Sequence, residues 1–126
     1  MLTARQKLGE RGELIAERWL ESRGWTILKR RFRSGHRDID LVVERRGAEG
    51  RLVAFVEVKT RTNAEFGGPL GAVNWKKQRE LAKAAREWFR SGNQSPATEF
   101  RFDVVGVTLG EPQADVVHIE NAFQLR

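Results

Sequence analysis

The sequence predicts an α/β fold in which a central mixed β-sheet is flanked by helices, in the chain order α-β-β-β-α-β-β. Two long stretches carry apolar residues at helical spacing, and they alternate with runs rich in β-branched and aromatic residues. A crossover through the second helix is expected to join the strands on either side of it, which makes the sheet mixed. With 126 residues, 40% of them hydrophobic, the chain has room for one core, so residues 1–126 are expected to form a single domain.

The first helix is predicted over residues 3–23. Thr3 and Gln6 match a capping box, and Gly24 is a suitable C-terminal stop. One face is apolar at helical spacing, with Leu8, Gly12, Ile15, Ala16, Trp19 and Leu20. Each of the two glycines in the early turns costs a helix about 1 kcal/mol relative to alanine, which indicates a close approach to another backbone or to a ligand. Glu13 lies beside the apolar face, where it either reaches inward over a strand or is an ordinary glutamate paired with Arg or Lys.

The first strand is predicted over residues 25–33, and a turn at residues 34–36 delivers Asp38 and Asp40. Basic residues crowd this approach, namely Lys29, Arg30, Arg31, Arg33 and Arg37. Such a cluster suits a phosphate backbone, although a basic strand edge that resists aggregation explains it equally. His36, alone in the turn, is assigned no role.

Residues 37–43 and 52–61 are expected to form a β-hairpin, because both arms are rich in β-branched and aromatic residues and glycines flank the break. With a turn at residues 47–50, the register pairs Arg46 with Arg51, Asp40 with Glu57 and Asp38 with Lys59, unless a bulge shifts it. Alternation along a strand places Glu57 and Lys59 on one face.

Carboxylates that face each other on paired strands repel unless a cation lies between them. Asp40 and Glu57 are therefore candidate ligands of a hard divalent ion, with Mg²⁺ as the expected cofactor and Mn²⁺ as a substitute. Lys59, on the same face, is placed to position or deprotonate a water or to offset charge on a phosphate. The competing interpretation is an exposed hairpin face with salt bridges, but Asp-x-Asp and Glu-x-Lys in matching register favour the functional one.

The second helix is predicted from Asn74, its N-cap, to about Arg90. Its core face contains Leu81, Ala82, Ala85, Trp88 and Phe89. Gln78 continues that face one turn earlier, where a polar side chain needs a partner or a role. Basic residues at three- and four-residue steps form a continuous ridge, here called the basic ridge, of Lys76, Arg79, Lys83, Arg86 and Arg90. Their mutual repulsion would be relieved by a bound polyanion, with a solvated helix face as the alternative.

The remaining segments are a loop and two strands. The loop at residues 62–69 leaves from the Glu57 strand, and loops of this kind often close over sites. The last strands are predicted over residues 100–109 and 114–120. Asp103 and His118 lie in these strands and are expected to be structural, because neither belongs to a recognisable catalytic group.

Charge and composition narrow the class of partner. A net charge of +6 and a pI of about 10.5 make polyanions the natural partners. Without cysteine the chain has neither disulfides nor thiolate metal sites, which suits a reducing compartment. No signal-peptide pattern and no apolar stretch of ~20 residues is present, so we expect a cytoplasmic protein that does not enter membranes. Nucleotide-binding glycine motifs and serine-hydrolase patterns are absent.

These residues resemble the bacterial family UPF0102, also called YraN, and two segments resemble the halves of the PD-(D/E)xK nuclease signature. The two segments are Arg37-Asp38-Ile39-Asp40-Leu41 and Phe55-Val56-Glu57-Val58-Lys59-Thr60-Arg61. The other family motifs are Gly12-Glu13, Phe66-Gly67-Gly68-Pro69, Lys77-Gln78-Arg79 and Arg101-Phe102-Asp103-Val104-Val105. The resemblance spans nearly the whole chain and implies a restriction-endonuclease-like fold, similar to archaeal Holliday-junction resolvases. The chain departs from the pattern where Asp38 replaces a common glutamate and Arg37 a common glycine.

The resemblance implies a role for each matching residue. The implied catalytic set is Asp40, Glu57, Lys59 and Glu13, and the implied metal ligands are Asp40, Glu57, the Val58 carbonyl and Glu13. Gln78 corresponds to a glutamine on the following helix of some relatives. Because resolvase-like relatives pair, a homodimer is compatible with this reading.

The leading hypothesis is a Mg²⁺-dependent endonuclease or phosphodiesterase that hydrolyses DNA, with branched, recombination or repair intermediates suggested by the resemblance. The residues expected to bind nucleic acid are Arg31, Arg33, Arg37, Arg61, Lys76, Lys77, Gln78, Arg79, Lys83 and Arg86. Two alternatives stay open, a catalytically silent nucleic-acid-binding module of a repair complex and a ribonuclease, because nothing in the sequence excludes RNA.

Overall fold

The structure, a computed structural model, describes residues 1–35, 37–62, 73–92 and 98–124. Its elements are α1 (Ala4–Ser22), β1 (Thr26–Ser34), β2 (Arg37–Gly47), β3 (Gly50–Arg61), α2 (Trp75–Arg90), β4 (Thr98–Thr108) and β5 (Asp115–Phe123). This order confirms the predicted α-β-β-β-α-β-β. His36 and nearly all of the predicted loop after β3, including Phe66-Gly67-Gly68-Pro69, lie outside the described residues. In the ranges described, no helix is both long and apolar enough to cross a membrane.

The five strands form one sheet in the order β1-β2-β3-β4-β5. β3 and β4 run parallel, and every other neighbouring pair is antiparallel. Parallel neighbours need a crossover connection, and the chain between β3 and β4 contains α2. The sheet is therefore mixed, as the sequence predicted.

The two helices cover opposite faces of this sheet. Along β3, Val53 and Phe55 belong to one buried cluster with residues of α2, whereas Ala54 and Val56 belong to a second cluster with residues of α1. Successive side chains of a strand point to opposite faces, so this division separates an α2 face from an α1 face. The hairpin strands β2 and β3 are therefore packed on both faces, which fixes their position in the sheet.

The first helix begins and packs as its sequence predicts. The Thr3 hydroxyl accepts from the Gln6 backbone, and the Gln6 side chain accepts from the Thr3 backbone, which completes the capping box. A Cβ built at Gly12 would lie 1.8 Å from Oγ1 of Thr60, so only glycine lets α1 come this close to β3. In the described part of the chain a Cβ at Gly9 would meet nothing within 4 Å, so the close approach to another backbone is wrong for Gly9.

Candidate functional site

The hairpin keeps its predicted register over most of its length. Pairing runs from Gly47 with Gly50, through Arg46 with Arg51, to Leu41 with Val56. The next two predicted pairs, Asp40 with Glu57 and Asp38 with Lys59, do not continue this ladder, although Asp38 stays paired with Arg33 of β1 on the other side of β2. The physical reason is a side-chain bond, because the Val58 backbone N–H donates to Oδ2 of Asp40 at 2.8 Å.

β2 changes its alternation at Asp40. Ile39 and Val42 pack on the α2 face, although they are three residues apart, and Leu41 between them packs on the α1 face. Across from this point, Arg31 of β1 has a φ of 49°, in the left-handed region that side-chain-bearing residues rarely adopt. Local irregularities of this kind re-aim side chains and are over-represented next to active sites. The irregularity directs the Asp40 carboxylate toward β3.

Asp40 is held in a setting that disfavours its charge. The pKa of its carboxyl is raised from 3.8 to about 7, first by burial and then by the charge of Glu57. Glu13 and Asp38 add to the rise, and the Val58 N–H opposes it. At neutral pH the site therefore favours a proton or a cation on Asp40.

Glu57 is the second acid in this setting. Its pKa is also raised, with burial the largest cause, and the charges of Asp38 and Glu13 act in the same direction. Its Oε2 is buried and has no hydrogen-bond donor in the described part of the chain. The Nζ of Lys77 lies 3.8 Å away, close enough for an ion pair but beyond hydrogen-bonding distance. A buried carboxylate oxygen without a donor is a free ligand atom.

Two other buried acids, Glu44 and Glu17, differ from this pair because arginines balance their negative charge. Glu44, in the same hairpin, accepts from Arg46 at 2.7 Å and from Arg51 at 3.1 Å. Burial would raise its pKa, but these two guanidinium groups outweigh burial, and the pKa of Glu44 is lowered. Glu17 of α1 is likewise held by both its oxygens in a bond to Arg30. Asp40 and Glu57 have no arginine of this kind among their contacts in the described residues.

Lys59 shares the α2 face with Glu57. Thr60 points toward Gly12 of α1, so its strand neighbour Lys59 projects from the opposite face. The side chain is partly exposed, and its charge lowers the pKa of Glu57. The lysine is therefore near the acids without being buried in the core.

Glu13 reaches the site electrostatically but is held elsewhere. Its Oε1 lies 3.3 Å from Nε of Arg31, while its charge raises the pKa of both Asp40 and Glu57. Across residues 1–35, 37–62, 73–92 and 98–124, no three His, Cys, Asp or Glu side chains are spaced to hold a metal ion among them. What the strands bring together is the pair Asp40 and Glu57 beside the Val58 backbone.

Several residues expected to bind nucleic acid already have protein partners. Arg31 also lies 3.4 Å from Glu10, Arg61 donates to Thr108 at 3.2 Å, and Gln78 donates to the Val73 carbonyl at 2.6 Å. The partner that Gln78 needed is thus the backbone just before α2. The remainder lie on the surface, with Arg33, Lys76, Arg79, Lys83 and Arg86 exposed and Arg37 and Lys77 partly buried.

Asp103 and His118 form a buried network away from the acids. Oδ2 of Asp103 lies 2.7 Å from Nε2 of His118, and Oδ1 accepts from Arg101 and from the Asn121 backbone, each at 2.9 Å. Burial opposes ionisation, but these donors outweigh it and lower the pKa of Asp103. Because every Asp103 oxygen is satisfied and the group joins β4 to β5, its contacts are structural.

The sequence reading overlooked Trp75, the first residue of α2. Its indole is 58% exposed, whereas Trp25 and Trp88 are buried. The helical pattern contained a clue, because Trp75 lies at the edge of the predicted core face, three residues before Gln78, and beside the basic ridge. The pattern does not show whether the indole packs against neighbouring side chains or stays exposed to solvent.

Comparison with known proteins identifies close relatives. A sequence profile described as "Uncharacterised protein family UPF0102" matches residues 12–107. A UPF0102 protein of Chloroherpeton thalassium is 42% identical over 124 residues, 92% of each chain, and one of Geobacter metallireducens is 40% identical over 120 residues, 95% of this chain and 94% of that one.

Among solved structures, Pyrococcus furiosus SfsA in complex with Ca²⁺ resembles this chain weakly, with 15% identity and a TM-score of 0.40. The match covers 96% of this chain but 65% of that one.

Proposed function

We propose that this chain, which belongs to the UPF0102 family of uncharacterised proteins, is a metal-dependent phosphodiesterase that cleaves DNA on a restriction-endonuclease-like fold. The observation that carries the proposal is the pair of buried acids at the end of the β2–β3 ladder, because the pKa values of both stay raised. Within the described residues, Oε2 of Glu57 is buried and has no hydrogen-bond donor, and the pKa of Asp40 is raised to about 7. In the same hairpin, Glu44 receives two arginines.

The donor set fits a hard divalent cation. Mg²⁺ prefers carboxylate, carbonyl and water oxygens and is commonly held by one or two carboxylates. Asp40 and Glu57 would bind it through carboxylate oxygens, with the Val58 carbonyl as a further ligand. Bound there, Mg²⁺ or Mn²⁺ would polarise a phosphate and lower the pKa of a coordinated water. A cation would also remove the mutual repulsion that raises the pKa values of the two acids.

The chain's own residues would position the attacking water, stabilise negative charge and hold the ligands in place. Lys59, on the face of Glu57, orients the attacking water and stabilises negative charge that develops on the phosphate. The Val58 N–H holds Oδ2 of Asp40, and the other carboxylate oxygen, Oδ1, would bind the cation. Lys77, 3.8 Å from Glu57, supplies counter-charge before the cation arrives and can then turn to a phosphate.

The basic ridge and Arg33 would bind the DNA backbone. These side chains are exposed, and phosphate contacts of this kind give affinity without reading sequence. Binding should therefore weaken steeply with salt. Branched or otherwise distorted DNA is the proposed substrate, by analogy with the resolvases that the signature resembles.

The proposal is tested by cleavage of linear, nicked, flapped and four-way DNA with Mg²⁺ or Mn²⁺. Asp40→Asn and Glu57→Gln are each expected to reduce cleavage by about a hundredfold or more, because each removes a charged metal ligand. Both should still bind DNA in EDTA, as well as the unsubstituted chain or better. Asp115→Asn, at an exposed aspartate at the start of β5, is the matched control and should cut normally. No cleavage of any of these DNAs by the unsubstituted protein would overturn the proposal.

A second candidate is a catalytically silent nucleic-acid-binding module. The observation that favours it is the Lys77 ammonium beside Glu57, because a lysine can balance buried acid without any metal. A silent module should bind DNA with an affinity that Mg²⁺ does not raise, and Lys77→Ala should lower its stability. Running the same substrates as RNA separates a ribonuclease from both, since only a ribonuclease would cut RNA and spare DNA.

A further inference from the structure

A concave surface beside the candidate site combines an exposed indole with four basic side chains. It has a volume of about 320 Å³ and is lined by Arg37, Trp75, Lys76, Arg79, Glu80 and Lys83. Trp75, Arg79 and Lys83 also line a second concavity of about 240 Å³, which extends to Phe123 and Gln124 at the end of β5. The indole therefore stands between two hollows that share the same cations.

Arg37 gives the first hollow an independent sign of a ligand. Its Nε is buried and has no hydrogen-bond partner in the described ranges. By contrast, the arginines that contact Glu17, Glu44 and Asp103 donate their Nε–H groups to these carboxylates. A buried donor without an acceptor is unfavourable by about 1–3 kcal/mol, and an anion that drew the Arg37 guanidinium outward into the hollow would satisfy it. A phosphate suits a guanidinium flanked by further cations.

The exposed indole of Trp75 indicates that the bound polyanion is a nucleic acid strand whose bases are not paired. Bases inside a duplex are stacked on each other and present only their edges, so an indole face cannot stack on them. An unpaired strand offers free base faces, and aromatic side chains within basic grooves are the usual stacking platforms for such strands. The core does not explain this tryptophan, because its indole is 58% exposed while two of the other three are buried.

The hollow adjoins the acids. Arg37 lies three residues before Asp40 on β2, and Lys77, two residues after Trp75, reaches to within 3.8 Å of Glu57. A strand bound in the hollow would thus continue directly to the candidate site.

We propose that this surface binds an unpaired DNA strand, with a phosphate at Arg37 and the adjacent base stacked on Trp75. This inference rests on the proposed function for the choice of DNA, and it narrows the substrate to DNA with a single-stranded portion. A duplex would still bind along the basic ridge, but without the contribution of the indole.

The test is fluorescence anisotropy in EDTA, where no cleavage is needed, with three labelled probes. They are a short oligothymidylate, the same backbone with abasic sites throughout, and a duplex of equal length. Trp75→Ala should weaken oligothymidylate binding by about tenfold and change the other two by about twofold or less, since only the oligothymidylate offers bases to stack. Trp75→Phe should retain most of the binding.

A matched control is Leu14→Ala, which removes an exposed apolar side chain on α1 and should change nothing. Equal weakening of all three probes by Trp75→Ala, or no weakening of any, would overturn the inference. A fourth probe, an oligouridylate of the same length, tests the assignment to DNA, which tighter binding of it than of oligothymidylate would overturn. If none of these probes binds, the surface is left to a protein partner and the inference is overturned.

The two proposals fail separately. If cleavage needs Asp40 and Glu57 but the binding of oligothymidylate does not depend on Trp75, only the unpaired-strand surface is refuted. Trp75-dependent binding of oligothymidylate, without cleavage of any DNA, would refute only the nuclease.

Discussion

Asp40→Asn is expected to stabilise the metal-free protein at neutral and alkaline pH, although it destroys the proposed metal site. Asparagine has almost the same shape and still presents an oxygen to the Val58 N–H. It lacks the negative charge that burial and Glu57 make unfavourable. A substitution that stabilises the fold while abolishing metal binding is typical of a site kept strained for function.

The magnitude follows from the shifted pKa. The folded pKa of Asp40, about 7, lies above its ordinary value of 3.8. The folded state therefore holds a proton that the unfolded chain releases, and the stability from this group is complete below about pH 4 and is lost as pH rises through about 7. A difference of about 3 pKa units at ~1.4 kcal/mol each sets a ceiling of about 4 kcal/mol. We expect at least about 1 kcal/mol of it, because the site can relax when Asp40 ionises.

The assay is urea unfolding in EDTA at several pH values between 4 and 8. The free energy of unfolding of Asp40→Asn, minus that of the unsubstituted protein, should increase from pH 4 to pH 7 and then level off. Asp115→Asn, at an exposed aspartate, should show a flat difference. A flat profile for Asp40→Asn, or a loss of stability at pH 8, would refute the reasoning that burial and Glu57 strain this carboxyl.

Three further predictions test the surrounding structure. Gly12→Ala should lower the free energy of unfolding by about 2 kcal/mol or more, because the new Cβ would lie 1.8 Å from the β3 threonine hydroxyl. Gly9→Ala, with open space around it, should raise the free energy by about 0.5–1 kcal/mol in the same urea titrations, and equal effects of the two would contradict the packing. Asp103→Asn should cost about 3 kcal/mol at pH 7, because it removes the negative charge that Arg101 and His118 contact and replaces one accepting oxygen with an amide group that only donates. Because the folded pKa of Asp103 is lowered, its contribution is present above the ordinary pKa and is lost as pH falls through the folded value, so the deficit of the variant should shrink in acid. Mg²⁺ binding near pH 6.5 should release protons from Asp40, which calorimetry in buffers of different ionisation enthalpy would detect, and binding without proton release would count against Asp40 as a ligand.

Local pattern was enough to predict the elements and most of the hairpin register. The capping box of Thr3 and Gln6 and the N-cap of Asn74 are interactions over three residues, so they are visible in sequence. The glycines that bracket the turn at residues 47–50 set the pairing as far as Leu41 with Val56. Alternation then placed Glu57 and Lys59 on the face opposite α1.

What the sequence did not predict depends on contacts between distant segments. The bond from Val58 to Asp40 replaces ladder pairing, and it requires β2 to be irregular where Arg31 adopts a positive φ. Pairings such as Arg30 with Glu17 join different elements, and their spacing of 13 residues follows no local period. For the same reason, spacing alone could not separate arginines already engaged by carboxylates from Arg37, whose Nε lacks an acceptor in the described ranges.

The most direct test of the central claim is anomalous diffraction from crystals soaked in Mn²⁺. We expect a peak bonded to carboxylate oxygens of Asp40 and Glu57 and to the Val58 carbonyl, at about 2.2 Å from each. The absence of a peak there at saturating Mn²⁺, with Lys77 still paired to Glu57, would contradict it.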